Sequence, residues 1–232
     1  MKKIYLFLTA LFAFGLTSCL NELDNYDAPN GGISGRILDS QTGEPIPLPV
    51  QGSGGAIVRM YELNTNASQS VDFYAKMDGS YENTKVFNCD YRIVVDNAPF
   101  VQTCEGNVTV KGQTTYDLTA TPYARIQATA SVSNRIVTIN YSVTPSNGSY
   151  SVSEVYGYWN FSAGLDNSAT NQAGKKTVSE PSGVITFDMN SESNFTSNLY
   201  KIKANNNKIY LRVGAKTEGK INYSTIIEVT VL

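Results

Sequence analysis

The segment Arg125-Ile-Gln-Ala-Thr-Ala-Ser-Val132 indicates the fold class, because apolar and polar side chains alternate along it at every position. Three later segments, residues 137–143, 185–189 and 209–216, repeat this period of two. Alternate side chains of a β-strand lie on opposite faces of the sheet, so the pattern predicts half-buried strands. The 15 tyrosines favour the same class, because aromatic residues are enriched in strands. The chain is therefore predicted to be all-β.

The preceding part of the chain, residues 32–121, predicts a separate set of strands. Turn signals divide it into short apolar runs at residues 33–38, 56–63, 69–76, 81–87, 91–95, 107–110 and 114–120. Such spacing is typical of a small sandwich. The tripeptide Thr121-Pro122-Tyr123 then reads as a short linker. We expect two antiparallel β-sandwich domains in tandem, at 32–121 and 122–232, with residues 190–206 as a loop that holds at most one helical turn.

The first nineteen residues predict export and a covalent lipid anchor. Lys2 and Lys3 precede an uncharged apolar run at residues 4–14, and Leu16-Thr-Ser-Cys19 resembles a bacterial lipobox. A segment of this kind is a signal peptide, here residues 1–18, that is removed from the mature protein. Cys19 would then be the lipidated N-terminus, and two or three acyl chains hold a protein on a membrane almost permanently. The alternative is a cleaved secretory signal in which the cysteine is incidental.

Residues 19–31 form the predicted tether between this anchor and the first domain. They are polar, acidic and without a period, which is typical of a flexible linker. The position of Glu22, Asp24 and Asp27 resembles the signal that sends Bacteroidetes lipoproteins to the outer face of the outer membrane. An ordinary solvated linker is the alternative. The expected location is the outer membrane, lipid-anchored and facing the cell exterior.

The composition argues against several kinds of chemistry and of partner. The chain has no histidine, so it lacks the commonest general base, the usual metal ligand and every serine–histidine or cysteine–histidine pair. Loss of Lys2 and Lys3 changes the formal net charge from −2 to about −4, which argues against nucleic acid or an anionic membrane surface as the partner. We predict no catalytic residues, no metal and no cofactor. A paired-carboxylate glycosidase is the enzyme class that composition leaves open.

Three motifs in the first domain carry a family resemblance: Gly35-x-x-x-Asp39-x-x-Thr42-Gly-Glu-Pro-Ile46, Asp78-Gly-Ser-Tyr81 and Phe87-x-x-x-Tyr91-x-Ile93. They resemble the transthyretin-like, carboxypeptidase-regulatory-like sandwich module, in which a glycine usually occupies the place of Cys89. In the second domain, residues 210–216 and the return strand after them resemble the last two strands of a fibronectin type III domain, an immunoglobulin-like sandwich.

Together, the lipobox, the tether and the two sandwich types resemble the two-domain Bacteroidetes lipoproteins known as domain of unknown function 3823. The resemblance covers nearly the whole chain, but it consists of turn and core residues and therefore indicates the fold more than the function. It implies an uncharacterised accessory protein of a polysaccharide-utilisation system, beside a TonB-dependent transporter and its glycan-binding lipoprotein.

Cys89 and Cys104 are candidates for a disulfide, since export places them in an oxidising compartment. If residues 91–95 and 100–103 pair as a hairpin that turns at residues 96–99, the two cysteines fall opposite each other. Such a bridge would stabilise the fold by about 3 kcal/mol in the chain-entropy treatment. Two buried free thiols are the alternative.

The aromatic segment Val155-Tyr-Gly-Tyr-Trp-Asn-Phe161 holds the candidate binding residues. On a strand, Trp159 falls on the face that is expected to pack inward, and the tyrosines fall on the other face. With fibronectin-like strand order, four residues would share one exposed surface on which sugar rings could stack: Tyr156, Tyr158, Tyr210 and Arg212. Outward tyrosines are also simply good strand formers, so this platform is a hypothesis.

The function expected from the sequence is therefore non-catalytic: a surface lipoprotein that captures glycans or helps to assemble a glycan-uptake system. A structural spacer or adhesin-like module that docks other outer-membrane proteins is the alternative. No motif indicates which sugar or which protein would be bound.

Overall fold

The computed structural model describes residues 28–52, 54–65 and 68–232, which form two β-sandwiches in tandem. The predicted signal peptide at 1–18, Cys19 and the tether as far as residue 27 lie outside the described residues. The first strand begins at Gly31, so the last residue that was assigned to the tether belongs to the first domain. The prediction of an all-β fold is confirmed.

Eight strands form the first domain: β1 Gly31–Asp39, β2 Ile57–Glu62, β3 Val71–Tyr74, β4 Ser80–Val86, β5 Asp90–Asp96, β6 Cys104–Thr109, β7 Gln113–Thr115 and β8 Leu118–Ala120. One sheet has the order β4-β1-β7, with β8 also paired to β1, and the other has the order β3-β2-β5-β6. Completely buried Ile37, Val58 and Tyr91 belong to the core of this domain.

The last two strands of the first domain depart from the predicted antiparallel arrangement. The run at residues 114–120 is split into β7 and β8, and both pair with β1 in the parallel direction. The interruption at Tyr116 lies over Gly35, where an added Cβ would come within 1.9 Å of the Tyr116 carbonyl oxygen. Glycine is therefore required at position 35, because any side chain would collide with the crossing backbone.

Eight further strands form the second domain: β9 Ala124–Ser133, β10 Ile136–Pro145, β11 Val152–Asn160, β12 Gly174–Val178, β13 Ser182–Asp188, β14 Lys208–Thr217, β15 Lys220–Tyr223 and β16 Ile227–Thr230. A sheet of order β13-β10-β9 faces a sheet of order β12-β11-β14-β15, in which β16 also pairs with β14. Trp159 is completely buried in the core, with its ring centroid 5.3 Å from that of Phe161. Its predicted inward orientation is confirmed.

The loop predicted at residues 190–206 contains more helix than the single turn expected. Two short helices, α1 Ser193–Ser197 and α2 Leu199–Ala204, follow each other there. A separate 3₁₀ turn lies at Ala169–Asn171, in the loop between β11 and β12. Phe195 and Ile202 are buried in the core, and Leu199 packs against it. Their spacing of four and three residues is that of one helix face, a signal that the many Asn and Ser residues obscure.

The predicted disulfide between Cys89 and Cys104 is wrong, because both cysteines are free. β5 pairs with β6 rather than with residues 100–103, and the register places Cys104 opposite Val95 at one end. Cys89 precedes the other end, where its carbonyl oxygen accepts a hydrogen bond from the Val110 N–H. The extended chain from Cys104 to Val110 spans roughly 20 Å, and Cys89 lies beside Val110. Cys89 is therefore too far from Cys104 for a disulfide, whose Cα atoms are about 4.4–6.8 Å apart.

Both thiols should therefore stay reduced in the folded protein. Alkylation of the denatured, unreduced protein should label Cys89 and Cys104, as peptide mass spectrometry can measure. In the native protein Cys104 should react far more slowly, because it is 1% exposed and burial raises the pKa of its thiol to about 12. Labelling of the denatured protein that appears only after reduction would contradict this prediction.

Candidate functional site at the domain junction

The four residues of the predicted glycan platform share one face of the second domain, but that face is buried. The register pairs Tyr158 directly with Arg212, and it pairs Asn160 with Tyr210 two residues further along. Tyr158 and Arg212 are completely buried, Tyr156 is 5% exposed and Tyr210 is half-buried. The grouping of the four residues is therefore as predicted, but their exposure is wrong, and they offer no open surface on which a sugar ring could stack.

Two chain segments cover this face of the five-stranded sheet. Residues 161–173, between β11 and β12, contribute the buried Leu165. The connection between β1 and β2 in the first domain reaches the same face at Leu48. A small second core results, built from Tyr156, Tyr158, Leu165 and Tyr223. The alternation along one strand cannot reveal this cover, because the second layer is supplied from elsewhere in the chain.

Arg212 stands at the centre of the junction and is completely buried. Its Nε donates a hydrogen bond to the Ser224 carbonyl oxygen (2.9 Å), and its Nη1 donates to the Leu165 carbonyl oxygen (2.7 Å). Its Nη2 donates to the carbonyl oxygen of Leu48 in the first domain, at 2.7 Å. The guanidinium carbon lies 4.6 Å from the centre of the Tyr223 ring. One side chain thus joins three chain segments and both domains.

Arg212 remains charged at neutral pH, although burial lowers the pKa of its guanidinium to about 10. The charge of Asp166 opposes that shift. Asp166 is 4% exposed, and its Oδ2 accepts a hydrogen bond from the backbone N–H of Val50 across the junction, at 3.0 Å. An arginine and an aspartate of the second domain therefore bind two backbone groups of the first domain, the Leu48 carbonyl and the Val50 N–H.

The segment that carries these backbone groups is Pro45-Ile-Pro-Leu-Pro-Val50. Proline lacks an N–H, and the residue before a proline favours extended conformations, so this segment lies outside the named strands. Its remaining backbone groups must find other partners once they are buried. The N–H groups of Ile46 and Leu48 donate to the Ile37 and Met77 carbonyl oxygens of the first domain. The second domain supplies the partners of the Leu48 carbonyl and the Val50 N–H.

Two further polar contacts cross the junction. Asn222 donates from Nδ2 to the Pro99 carbonyl oxygen at 3.0 Å. Asp39 and Arg125 form a bidentate pair, with both nitrogen–oxygen distances at 2.6 Å. Burial alone would raise the pKa of Asp39, but hydrogen bonds from Arg125 and from backbone amides outweigh it and hold the pKa below its ordinary value. Asp39 is therefore ionised at neutral pH, which the pair requires.

A polar recess beside these contacts is the candidate binding site. It has a volume of about 540 Å³, and its walls come from residues 49–52 and 54 of the first domain and from the loop around Asp166 in the second. Gln51, Ser168 and Thr170 are exposed and line it with amide and hydroxyl groups, while Ile221 adds apolar surface. Asp166 Oδ1 accepts hydrogen bonds from the Ser168 N–H (2.8 Å) and from Asn171 Nδ2 (3.0 Å), which fix the second wall.

A second cleft at the junction has a different character. Its volume is about 600 Å³, and its apolar lining comes from Pro45, Pro47, Met77 and Ile226. The charged residues Glu44, Lys76 and Asp78 also line it. It shares Glu44, Pro45 and Pro47 with a smaller groove of about 310 Å³ beside Arg125. Fewer uncharged hydrogen-bonding side chains line this cleft than the polar recess.

The described ranges hold no group of three or more His, Cys, Asp or Glu side chains that could bind a metal ion. Within the same part of the chain, no helix is both long enough and apolar enough to cross a bilayer. The two buried carboxylates of the junction, Asp39 and Asp166, both have hydrogen-bond partners.

Both halves of the chain match one protein family. Residues 31–121 match the N-terminal domain of a protein of unknown function, DUF3823, and residues 123–228 match the domain of unknown function DUF3823_C. The chain belongs to the DUF3823 family. No curated protein matches it in sequence.

Solved structures share this two-domain fold. A DUF3823 protein from Parabacteroides merdae has a TM-score of 0.73 at 21% identity, over 88% of this chain and 100% of its own. A protein from Bacteroides uniformis, described as a candidate carbohydrate-binding protein, has a TM-score of 0.70 at 18% identity, over 87% and 99%. A DUF3823 protein from Bacteroides ovatus has a TM-score of 0.69 at 19% identity, over 87% and 99%. At these identities the likeness concerns the fold.

The residues that join the two DUF3823 domains were not predicted from the sequence. The platform hypothesis placed Arg212 in solvent, and neither Asp166 nor Asn222 was singled out. Two signals were available. Arg212 lies between the apolar residues Leu211 and Val213, and prolines occupy alternate positions in residues 45–49. A proline-rich segment with no place in a sheet and an arginine within an apolar strand both indicate buried backbone groups in need of partners.

Replacement of Arg212 by methionine should destabilise the protein, because three buried carbonyl oxygens lose a charged donor. We expect the free energy of unfolding to fall by about 2–4 kcal/mol, measured by chemical denaturation. Arg92→Met is the matched control, since the Arg92 side chain is 48% exposed and lies 3.4 Å from Glu105. Loss of that surface pair should cost about 1 kcal/mol or less. Equal losses in the two variants would contradict the role given to Arg212.

Proposed function

We propose that this DUF3823 protein is a non-catalytic, lipid-anchored protein of the outer membrane that binds carbohydrate in the recess between its domains. The observation that carries the proposal is the lining of that recess, where amide and hydroxyl groups adjoin a small apolar surface. Its volume of about 540 Å³ lies within the usual range for small-ligand sites. Both domains contribute a wall, so the recess exists only while they are joined.

A saccharide requires both kinds of surface. Its hydroxyl groups exchange hydrogen bonds with side chains such as Gln51, Ser168 and Thr170, and its C–H patches pack on apolar groups such as Ile221. The buried Asp166 holds the second wall through two hydrogen bonds and the first wall through the Val50 N–H. A recess whose walls are fixed in advance loses little conformational entropy when a ligand binds.

The same contacts favour binding over catalysis. A paired-carboxylate glycosidase needs two acids about 5–9.5 Å apart on either side of the scissile bond. Asp166 is the one carboxylate among the described residues that line the recess. It is 4% exposed and accepts three hydrogen bonds, so it is poorly placed to exchange a proton with a substrate.

The proposed location follows from the N-terminal sequence. The lipobox at Cys19 and the acids at positions 22, 24 and 27 support an anchor on the outer face of the outer membrane. Family resemblance supports a role beside a TonB-dependent transporter and its glycan-binding lipoprotein. The similar Bacteroides uniformis protein, described as a candidate carbohydrate-binding protein, points to the same class of ligand.

A structural spacer or adhesin-like module that docks other outer-membrane proteins is the second candidate. The observation that favours it is the set of polar contacts across the junction, made by Asp39, Asp166, Arg212 and Asn222. A spacer transmits a fixed orientation only if its domains do not move relative to each other, and these contacts oppose such motion. A spacer has no need of a lined recess.

Affinity gel electrophoresis against a broad panel of soluble polysaccharides tests the proposal. We expect at least one polysaccharide to retard the protein. The double variant Gln51→Ala with Thr170→Ala should weaken retention about tenfold, because the ligand loses roughly 1.4 kcal/mol of hydrogen bonding at the recess.

The matched control is the double variant Gln102→Ala with Thr103→Ala, which changes the same residue types at exposed positions in the first domain. It should bind as the parent protein does. Retention that is equally strong in both double variants would remove the recess as the site. No retention by any polysaccharide would favour the spacer.

A further inference from the structure

The end of the first domain that lies away from the second domain has a distinct surface, which we call the N-terminal pole. It comprises Gly31, where β1 begins, together with residues 62–65, 85–90 and 109–113, where β2, β4 and β6 end and β5 and β7 begin. The opposite end of the domain carries Asp39 and Pro99, which contact the second domain. We propose that the N-terminal pole rests on the bilayer that holds the Cys19 anchor, with Leu63 and Phe87 inserted among the lipid headgroups. This inference rests on the proposed anchor.

Two large apolar side chains stand out from the N-terminal pole. Leu63 is 52% exposed just after β2, and Phe87 is 44% exposed just after β4. The strand ends that carry them are held in place, since the Leu63 N–H donates to the Asp90 carbonyl oxygen and the Phe87 carbonyl oxygen accepts from the Tyr91 hydroxyl. Apolar side chains on a rigid, otherwise polar surface suit the interfacial zone of a membrane.

The chain leaves the domain at this same pole. Asn88 donates from Nδ2 to Asn30 Oδ1 at 2.6 Å, and its own Oδ1 accepts the Gly112 N–H at 2.8 Å. The start of the domain is thus fixed beside Phe87. Eleven Cα-to-Cα steps join position 19 to position 30. Even fully extended they span at most about 40 Å, so the anchor keeps this pole, rather than the second domain, close to the lipid.

The charges on the N-terminal pole do not oppose contact with lipid. Lys85 and Lys111 are exposed there and can approach the phosphate groups of the lipid headgroups. The carboxylate of Asp90 accepts hydrogen bonds from the Thr109 hydroxyl and from Asn64, and the carboxylate of Glu62 accepts one from Thr65. The residues that define the pole thus hold two cations, Lys85 and Lys111, and two carboxylates, so the pole carries no net charge that would oppose contact with a zwitterionic bilayer.

Fluorescence quenching tests the contact in the full-length lipidated protein, inserted through its own anchor into phosphatidylcholine vesicles with brominated or unbrominated acyl chains. Tryptophan is introduced separately by Phe87→Trp and Leu63→Trp. The native Trp159 gives a constant background, because it is completely buried in the second domain. Both variants should lose most of their added emission in brominated vesicles.

Tyr200→Trp is the matched control. Tyr200 is a 67% exposed aromatic residue on α2 of the second domain and is not part of the N-terminal pole. It should keep its added emission. Quenching of Phe87→Trp and Leu63→Trp no stronger than that of Tyr200→Trp would overturn the inference while leaving the anchor intact.

Flotation with the vesicles separates this failure from failure of the proposed function. The parent protein should float and Cys19→Ala should not. A parent protein that does not float would overturn the anchor, and the membrane contact of the pole with it. Carbohydrate binding in the recess is measured independently of either result.

Discussion

A buried guanidinium must find its hydrogen bonds inside the protein, and Arg212 finds them in three carbonyl oxygens that belong to both domains. Water cannot replace a missing partner at a site with no exposed surface, so loss of any one contact leaves a charged or polar group unsatisfied. The position of the first domain is thereby tied to a strand in the middle of the second. The aspartate–arginine pair and the Asn222 contact repeat the constraint at other points.

The candidate site is a consequence of this junction. The proline-rich segment brings the Leu48 carbonyl to Arg212 and the Val50 N–H to Asp166, and the residues that follow it form one wall of the polar recess. The opposite wall is the loop that covers the tyrosine face of the five-stranded sheet. The same contacts place one end of the first domain against the second domain and leave the N-terminal pole, beside Asn30, at the opposite end.

Local patterns predicted the strands well, because a period of two depends only on neighbouring residues. Trp159 packs inward as its place on β11 requires, and Tyr156, Tyr158, Tyr210 and Arg212 do share a face. That period could not predict their burial, because one of the two covering segments, at Leu48, lies more than a hundred residues away in the sequence. The false disulfide has a similar cause: the hairpin partner of β5 was placed too early, and strand register depends on turn geometry that composition does not specify.

The junction should make the two sandwiches one cooperative unit, and each domain contains a natural probe of this cooperativity. Trp159 fluorescence reports unfolding of the second domain, and alkylation of the buried Cys104 reports unfolding of the first. Both should be followed across one equilibrium denaturation series. We expect the two transitions to coincide at the same denaturant concentration. Exposure of Cys104 at a concentration where Trp159 remains native would show that the domains unfold independently and would contradict this expectation.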